Sequence, residues 1–310
     1  MKKNNLIAAL LLFFMAFGIE ASAQQETQYS QYMFNQLAYN PAYAGSRDAL
    51  SATMIVRRQW LGFAGGPATG AFNIHTPSGN ERHGFGLDFA HDQLGVTSEN
   101  QLSLDYAYRI PVKKGFLSLG IRGGFLHHKV NFSEINPNDV DPIKPGQDAA
   151  GILPRAGAGI YYYTKKFYVG ASAPNFLAGR YFSTGNSVAS QLASTQVMHG
   201  FGMIGATLPM GKNVMFRPSA VVKYVPNSPI QADGNITFFF KKVFGVGAGY
   251  RTGDALVFML EYQSQRRFRA GYAYDMTLSQ LSGTNSGSHE LMIGLDLGWG
   301  KSNFMTPRYF

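Results

Sequence analysis

The chain has 310 residues, 27 Lys and Arg against 18 Asp and Glu (net charge +9), 24 Phe, 17 Tyr, 36 Gly and no Cys. Without Cys, disulfide stapling and thiol chemistry are excluded. The positive charge falls in pairs, Lys113-Lys114, Lys165-Lys166, Lys241-Lys242 and Arg266-Arg267. Each pair sits between apolar stretches, as solvated turn charge or a neighbour of anionic headgroups, not as a stripe that tracks nucleic acid.

Residues 1–23 read as a secretory signal peptide: Lys2-Lys3, an apolar run from Leu6 to Ile19, and the small-residue site Ala21-Ser22-Ala23 ahead of Gln24. No later stretch approaches the eighteen or so apolar residues that a membrane-spanning helix needs. Residues 24–48 are dense in aromatics (Tyr29, Tyr32, Phe34, Tyr39, Tyr43), with Asn40-Pro41 as a turn signal. A segment of this kind is expected either inside a lumen as a plug or docked at a periplasmic mouth.

From residue 49 onward the pattern has period two. In 101–110, Leu102, Leu104, Tyr106, Tyr108 and Ile110 alternate with Gln101, Ser103, Asp105, Ala107 and Arg109. In 288–299, Leu291, Ile293, Leu295, Leu297 and Trp299 alternate with Glu290, Met292, Gly294, Asp296 and Gly298. Successive strand side chains point to opposite faces, so each segment has one apolar and one polar or small face. The pattern repeats about fourteen times, at 49–58, 67–76, 82–92, 97–110, 115–127, 152–163, 166–173, 197–208, 213–224, 229–240, 242–251, 254–263, 266–275 and 288–299. This is the signature of an all-β protein, a transmembrane antiparallel outer-membrane β-barrel over 49–310, apolar outside and polar inside.

The connections sort into two sets. Short turns such as 77–80 and 111–114 alternate with a set holding every long link, 128–151, 174–196 and 276–287. Outer-membrane barrels have short periplasmic turns and longer external loops, so an even strand count puts both termini in the periplasm. The predicted inward charges are mixed, Asp88, Asp105, Asp233, Glu261, Asp275, Glu290 and Asp296 against Arg109, Arg122, Lys223, Arg267 and Arg269. Mutual pairing across a filled lumen fits them better than a single-sign ion-selecting ring. Inward glycines (Gly86, Gly120, Gly124, Gly271, Gly294, Gly298) allow something inside to approach closely or the wall to bend.

Three constellations suggest chemistry and lose it on inspection. Gly200-Phe201-Gly202-Met203-Ile204-Gly205 has dinucleotide-loop spacing but lies inside a strand pattern with no helix after it. His127-His128 and Ser288-His289-Glu290 are strand neighbours, which point to opposite faces, so neither forms a metal site nor a nucleophile–base relay. No catalytic residue, metal or cofactor is expected. Aromatics near strand ends (Tyr161, Tyr162, Tyr163, Tyr224, Tyr250, Tyr262, Tyr272, Trp299) read as an interfacial girdle. Trp60 differs, because it opens the flexible link Trp60-Leu61-Gly62-Phe63-Ala64-Gly65-Gly66 on the outer side.

The order of motifs resembles one family. Ser30-Gln31-Tyr32-Met33-Phe34-Asn35, Asn40-Pro41-Ala42-Tyr43-Ala44-Gly45, Arg57-Arg58-Gln59-Trp60 leading to Gly66-Pro67, Ser288-His289-Glu290 and the terminal Pro307-Arg308-Tyr309-Phe310 are similar to signatures of the PorP/SprF outer-membrane proteins of the type IX secretion system in Bacteroidota. The resemblance implies a role in exporting or displaying proteins at the cell surface, in gliding motility or protease export. It implies other type IX secretion components and the C-terminal domain of a secreted cargo protein as partners. On this reading Trp60, Phe63, Asn175 and Phe176 contact a partner outside, and Tyr32, Phe34, Asn40 and Tyr43 do so through the amino-terminal segment. A second class of function, an outer-membrane channel for hydrophobic small molecules, fits the architecture and predicts an apolar pocket and uptake.

Overall fold

A computed structural model describes residues 27–134, 148–177, 179–180, 182–183, 195–264 and 267–298. The signal segment, Trp299 and the terminal Pro307–Phe310 lie outside the described residues. Fourteen antiparallel strands form one closed wall: β1 (Leu50–Arg58), β2 (Ala68–Pro77), β3 (His83–Leu94), β4 (Thr97–Val112), β5 (Gly115–Val130), β6 (Ala149–Thr164) and β7 (Phe167–Asn175). Then come β8 (His199–Ala206, continued past Thr207 by Leu208–Met210), β9 (Val214–Tyr224), β10 (Gln231–Phe240), β11 (Phe244–Arg251), β12 (Ala255–Gln263), β13 (Phe268–Thr277) and β14 (Ser288–Leu297). Each strand pairs with its sequence neighbours, and β1 closes the ring against β14 from Leu50 opposite Leu297 to Arg58 opposite His289. A closed ring leaves no edge, which is the condition for a sheet to stand in lipid, where nothing else would satisfy its N–H and C=O groups.

The expected alternation is present throughout. In β4, Leu104 is 64% exposed on the outer surface while its neighbours Ser103 and Asp105 are 2% and 3% exposed and face the lumen. In β14, Ser288, Glu290 and Met292 are buried and Leu291 and Ile293 are outward. The spacing 200–205 lies within β8, and His289 faces outward to accept or donate to the Tyr272 hydroxyl at 2.7 Å, away from Ser288 and Glu290.

At one end of the barrel the connections are short, at 78–82, 113–114, 165–166, 211–213, 241–243 and 264–267; at the other lie 131–148, 176–198 and 278–287. These ends are called the short-turn and long-loop mouths. One short turn breaks a local rule. Val243 N donates to Phe240 O at 3.0 Å across Lys241 (φ 50°) and Lys242 (φ 59°). Both central residues are left-handed, the mirror-image hairpin turn that selects Asn-Gly, and each lysine there costs on the order of 1 kcal/mol of backbone strain.

Two sequence expectations change. Tyr161 and Tyr163, expected in the outer girdle, are 1% and 3% exposed and face the lumen, because β6 places its odd positions inward. Arg267, expected inside, is exposed just before β13 at the short-turn mouth.

Replacing Lys241 by Asn together with Lys242 by Gly is expected to raise barrel stability by about 1 kcal/mol, read as a higher denaturant midpoint for the detergent-folded protein. A lower midpoint would mean that the lysines stabilise the turn through contacts that outweigh the strain.

Candidate functional site

A ring of fourteen strands encloses more space than its own side chains fill: about eight strands make a filled barrel and sixteen to eighteen an aqueous channel. Residues 27–48 occupy this space. Single helical turns at Tyr32–Phe34, Gln36–Tyr39 and Pro41–Tyr43 fold the segment compactly, and residues 29–46 are buried except for half-buried Ala38. Asn40 caps the last turn by accepting from Ala42 N at 2.9 Å, and Pro41 at its first position needs no N–H partner.

The segment runs the length of the lumen. Gln28 donates to Gln231, the first residue of β10 at the long-loop mouth, at 2.8 Å. Arg47 pairs with Asp296, near the short-turn end of β14, at 2.8 Å, and Asp48 pairs with Arg109. The expectation that both termini lie at the short-turn mouth therefore changes for the amino-terminal segment. Its first described residues stand at the long-loop end, drawn there by carboxylates that the strand pattern alone does not connect to it.

Those carboxylates form a dense cluster with two arginines and the start of the segment. Ser30 N donates to Glu290 Oε2 and Gln31 N to Glu290 Oε1, both at 2.8 Å. Ser30 Oγ donates to Asp275 at 2.7 Å and accepts from Arg57 Nη1 at 2.7 Å and Arg251 Nη2 at 3.2 Å. Arg57 bridges Asp275 (2.7 Å) and Glu290 (3.1 Å), and Arg251 bridges Asp275 (3.0 Å) and Asp233 (2.8 Å). Buried charges are tolerated only when paired and hydrogen-bonded, and here one serine of the plug completes the pairing of four wall strands.

Lower down, the wall is shaped to the plug. Gly120 lies against the backbone of Pro41 and Ala42, and Gly84 against that of Ala44, so a Cβ at either would collide with main chain. Arg122, held by Asp105 at 2.7 Å, donates to the carbonyls of Leu37 (2.6 Å) and Ala38 (2.9 Å). Phe34 lies between the guanidinium groups of Arg217 and Arg269, 5.6 and 5.8 Å from its ring centre. The space beside Met33, Tyr168 and Arg217 is about 10 Å³, at the threshold for a single water.

The sequence-derived site residues separate into two groups. Tyr32, Phe34, Asn40 and Tyr43, expected to touch another protein, are all inside the lumen. Tyr32 donates to Ser219 at 3.0 Å, Asn40 Nδ2 to Ile160 O at 3.1 Å, and Tyr43 packs edge-on against Tyr161 and His75. At the long-loop mouth, Phe63 and Phe176 are each 46% exposed and stand six strands apart around the wall. Asn175 is buried. Its side chain bonds Leu177 N, Leu177 O and Ala156 N, so it staples the end of β7 instead of facing outward.

Trp60 has φ 50°, an outlier for a bulky side chain. Its backbone N–H donates to Ser288 Oγ at 3.2 Å, its ring meets Phe63 edge-on at 6.4 Å, and the backbone of Leu61 pairs with both Gly287 and Ser286 at 2.8 Å. The link is thus a fixed knuckle with Leu61 and Phe63 outward, not a floppy loop. Sequence reading missed Ser30, Arg57, Arg217 and Arg251 as lumen residues. For Arg57, Arg217 and Arg251 the available signal was parity along β1, β9 and β11.

Fold and filled lumen together define an outer-membrane β-barrel closed by its own amino-terminal segment. The chain belongs to the family described as type IX secretion system membrane protein PorP/SprF, whose model matches residues 21–295. It is therefore an outer-membrane component of that secretion system. In fold it is similar to the CymD monoaromatic hydrocarbon channel (12% identity, 88% of this chain and 94% of that one, TM-score 0.50). A second likeness is to the outer membrane protein Omp33 of Acinetobacter baumannii (8% identity, 81% of this chain and 99% of that one, TM-score 0.47). Comparison with curated proteins finds no match.

The intact barrel is expected to carry no steady current in planar bilayers. Glu290→Ala, which removes the acceptor of two plug N–H groups and leaves Arg57 short of a partner, is expected to cost about 3–5 kcal/mol at this contact and to produce intermittent openings. Gly120→Leu, which acts by bulk, is expected to do the same; two silent variants would show that the plug is held elsewhere.

Proposed function

We propose that this protein is a non-enzymatic docking barrel that receives secreted cargo at its long-loop mouth and meets other secretion components at its short-turn mouth. The observation that carries this reading is the lumen filled from Gln28 to Asp48 and bonded to the wall along its length, which leaves transport through the barrel without a route. The long-loop mouth faces the cell exterior by the rule that external loops are the longer ones. There the knuckle of Trp60, Leu61 and Phe63 offers fixed apolar surface. The strain at Trp60 supports a role beyond joining two strands, since such outliers persist where the surroundings over-determine them. Phe176, across the mouth, is a separate contact. The cargo contact is with the C-terminal domain of a secreted protein, in gliding or in protease export.

The test is display of cargo in cells. Trp60→Ala with Phe63→Ala is expected to reduce surface cargo by tenfold or so, a loss of about 1.4 kcal/mol or more in binding, with unchanged heat-modifiable barrel in the membrane. Unchanged display with both rings removed would defeat the assignment of this mouth.

A further inference from the structure

The short-turn mouth carries a feature that folding does not explain. Each of the six short turns contains Lys or Arg, against one acidic residue, Glu81. Among the described residues of the long-loop links the charged positions are Glu134, Asp148, Asp254 and Arg180, three acidic against one basic, the reverse of the short turns. Two of the lysine turns hold their residues against backbone preference. Lys241 and Lys242 are both left-handed, and so is Lys113 (φ 36°), first of the two residues linking β4 to β5, where glycine is the favoured residue.

Between two neighbouring turns the charge surrounds a cleft. A cavity of about 350 Å³, within the roughly 300–1,000 Å³ range of ligand sites, is lined by residues 111–116 and 163–165. Lys113, Lys114 and Lys165 stand at its edge, exposed, and none takes part in an ion pair among the described residues. Its floor is Phe116 stacked on Tyr163 with ring centres 5.6 Å apart. Tyr163 is buried in the lumen core and donates no contact to the outer surface; Arg109, fully buried beneath, bonds its hydroxyl oxygen at 2.8 Å and lies over Phe116.

We infer that this cleft binds an acidic peptide segment of a periplasmic protein, with the three lysines reading its carboxylates and Phe116 and Tyr163 supporting its apolar parts. Because the floor faces the lumen, a bilayer headgroup approaching the outer wall does not reach it; the lipid-side neighbours are Leu117 and Tyr162. The ring of charge on the other short turns guides an acidic partner to the mouth, and the cleft fixes it. Arg109 also pairs with Asp48, the last residue before β1, so an occupant would sit next to the exit of the plug. The inference deepens the secretion role proposed above and rests on the short-turn mouth facing the periplasm.

The test uses the full chain in detergent and fluorescein-labelled hexaglutamate, read by polarisation. Binding is expected, weakening about tenfold between roughly 50 and 300 mM salt. Lys113→Gln, Lys114→Gln and Lys165→Gln together are expected to lower affinity at least about tenfold, while Lys241→Gln with Lys242→Gln lowers it no more than about twofold; heat-modifiable migration checks that all remain folded. Equal losses in the two variants, or none in the first, would overturn the cleft. The proposal also fails if hexaglutamate binding is untouched while the triple variant loses a melting-temperature gain given by phosphatidylglycerol in phosphatidylethanolamine nanodiscs. The peptide readout needs no cargo, so failure of the outer docking test and failure here are separable.

Discussion

Everything in this molecule follows from the need to satisfy a β-ladder where there is no water. An open sheet would leave edge N–H and C=O groups in lipid at several kcal/mol each, so β1 must meet β14. Closure fixes the period-two pattern, because only one face of each strand meets lipid. It also fixes the problem that the rest of the chain solves: a ring of this size has a lumen that its wall side chains do not fill. The plug is the answer to that geometry, and its aromatic density is the density of a core placed inside a barrel.

The plug is held by specificity more than by net energy. Arg57, Arg251, Asp275 and Glu290 are each no more than 2% exposed, and desolvating four such groups roughly offsets what their mutual attraction returns. What the cluster provides is register. Ser30 is small enough to stand among them, and its single hydroxyl donates to Asp275 while accepting from both arginines. Displacing it strands buried charge, which is far costlier than losing one hydrogen bond. Glycines at 84 and 120 set the depth at the other end, since backbone meets backbone there.

The fold was legible because the bilayer and the lumen impose opposite demands on alternate residues. All thirteen intervals between apolar stripes became turns or links without rearrangement, and the strand ends moved by up to three residues, most at the end of β5 and the start of β6. Parity says which side a residue faces but not what covers it. Tyr161 and Tyr163 near the end of β6 look like girdle residues until the plug is in place to bury them. The amino-terminal segment showed its aromatics without showing their partners, because those lie up to 260 residues away in Glu290. Arg57 and Arg251 sit at the ends of their strands, where parity points inward without saying whether the side chain meets a partner there. Asn175 read as an outward polar residue, yet a short-range side-chain staple engages its amide oxygen twice and its amide nitrogen once.

The departures from local rules are concentrated at the two mouths. Within the wall, strand propensity, alternation and charge pairing agree, as a chain with a single funnel requires. At the long-loop mouth a tryptophan occupies a left-handed position, and at the short-turn mouth lysines occupy positions that hairpin geometry reserves for Asn and Gly. Neither side chain is needed to close the ring: Leu61 is paired through its backbone, and Val243 bonds Phe240 across Lys241 and Lys242 whatever their side chains. The strain falls on an apolar residue at one mouth and on basic residues at the other, which is where the proposed contacts lie. With the lumen filled by residues 27–48, the two mouths are where the described residues stand open to surroundings other than lipid.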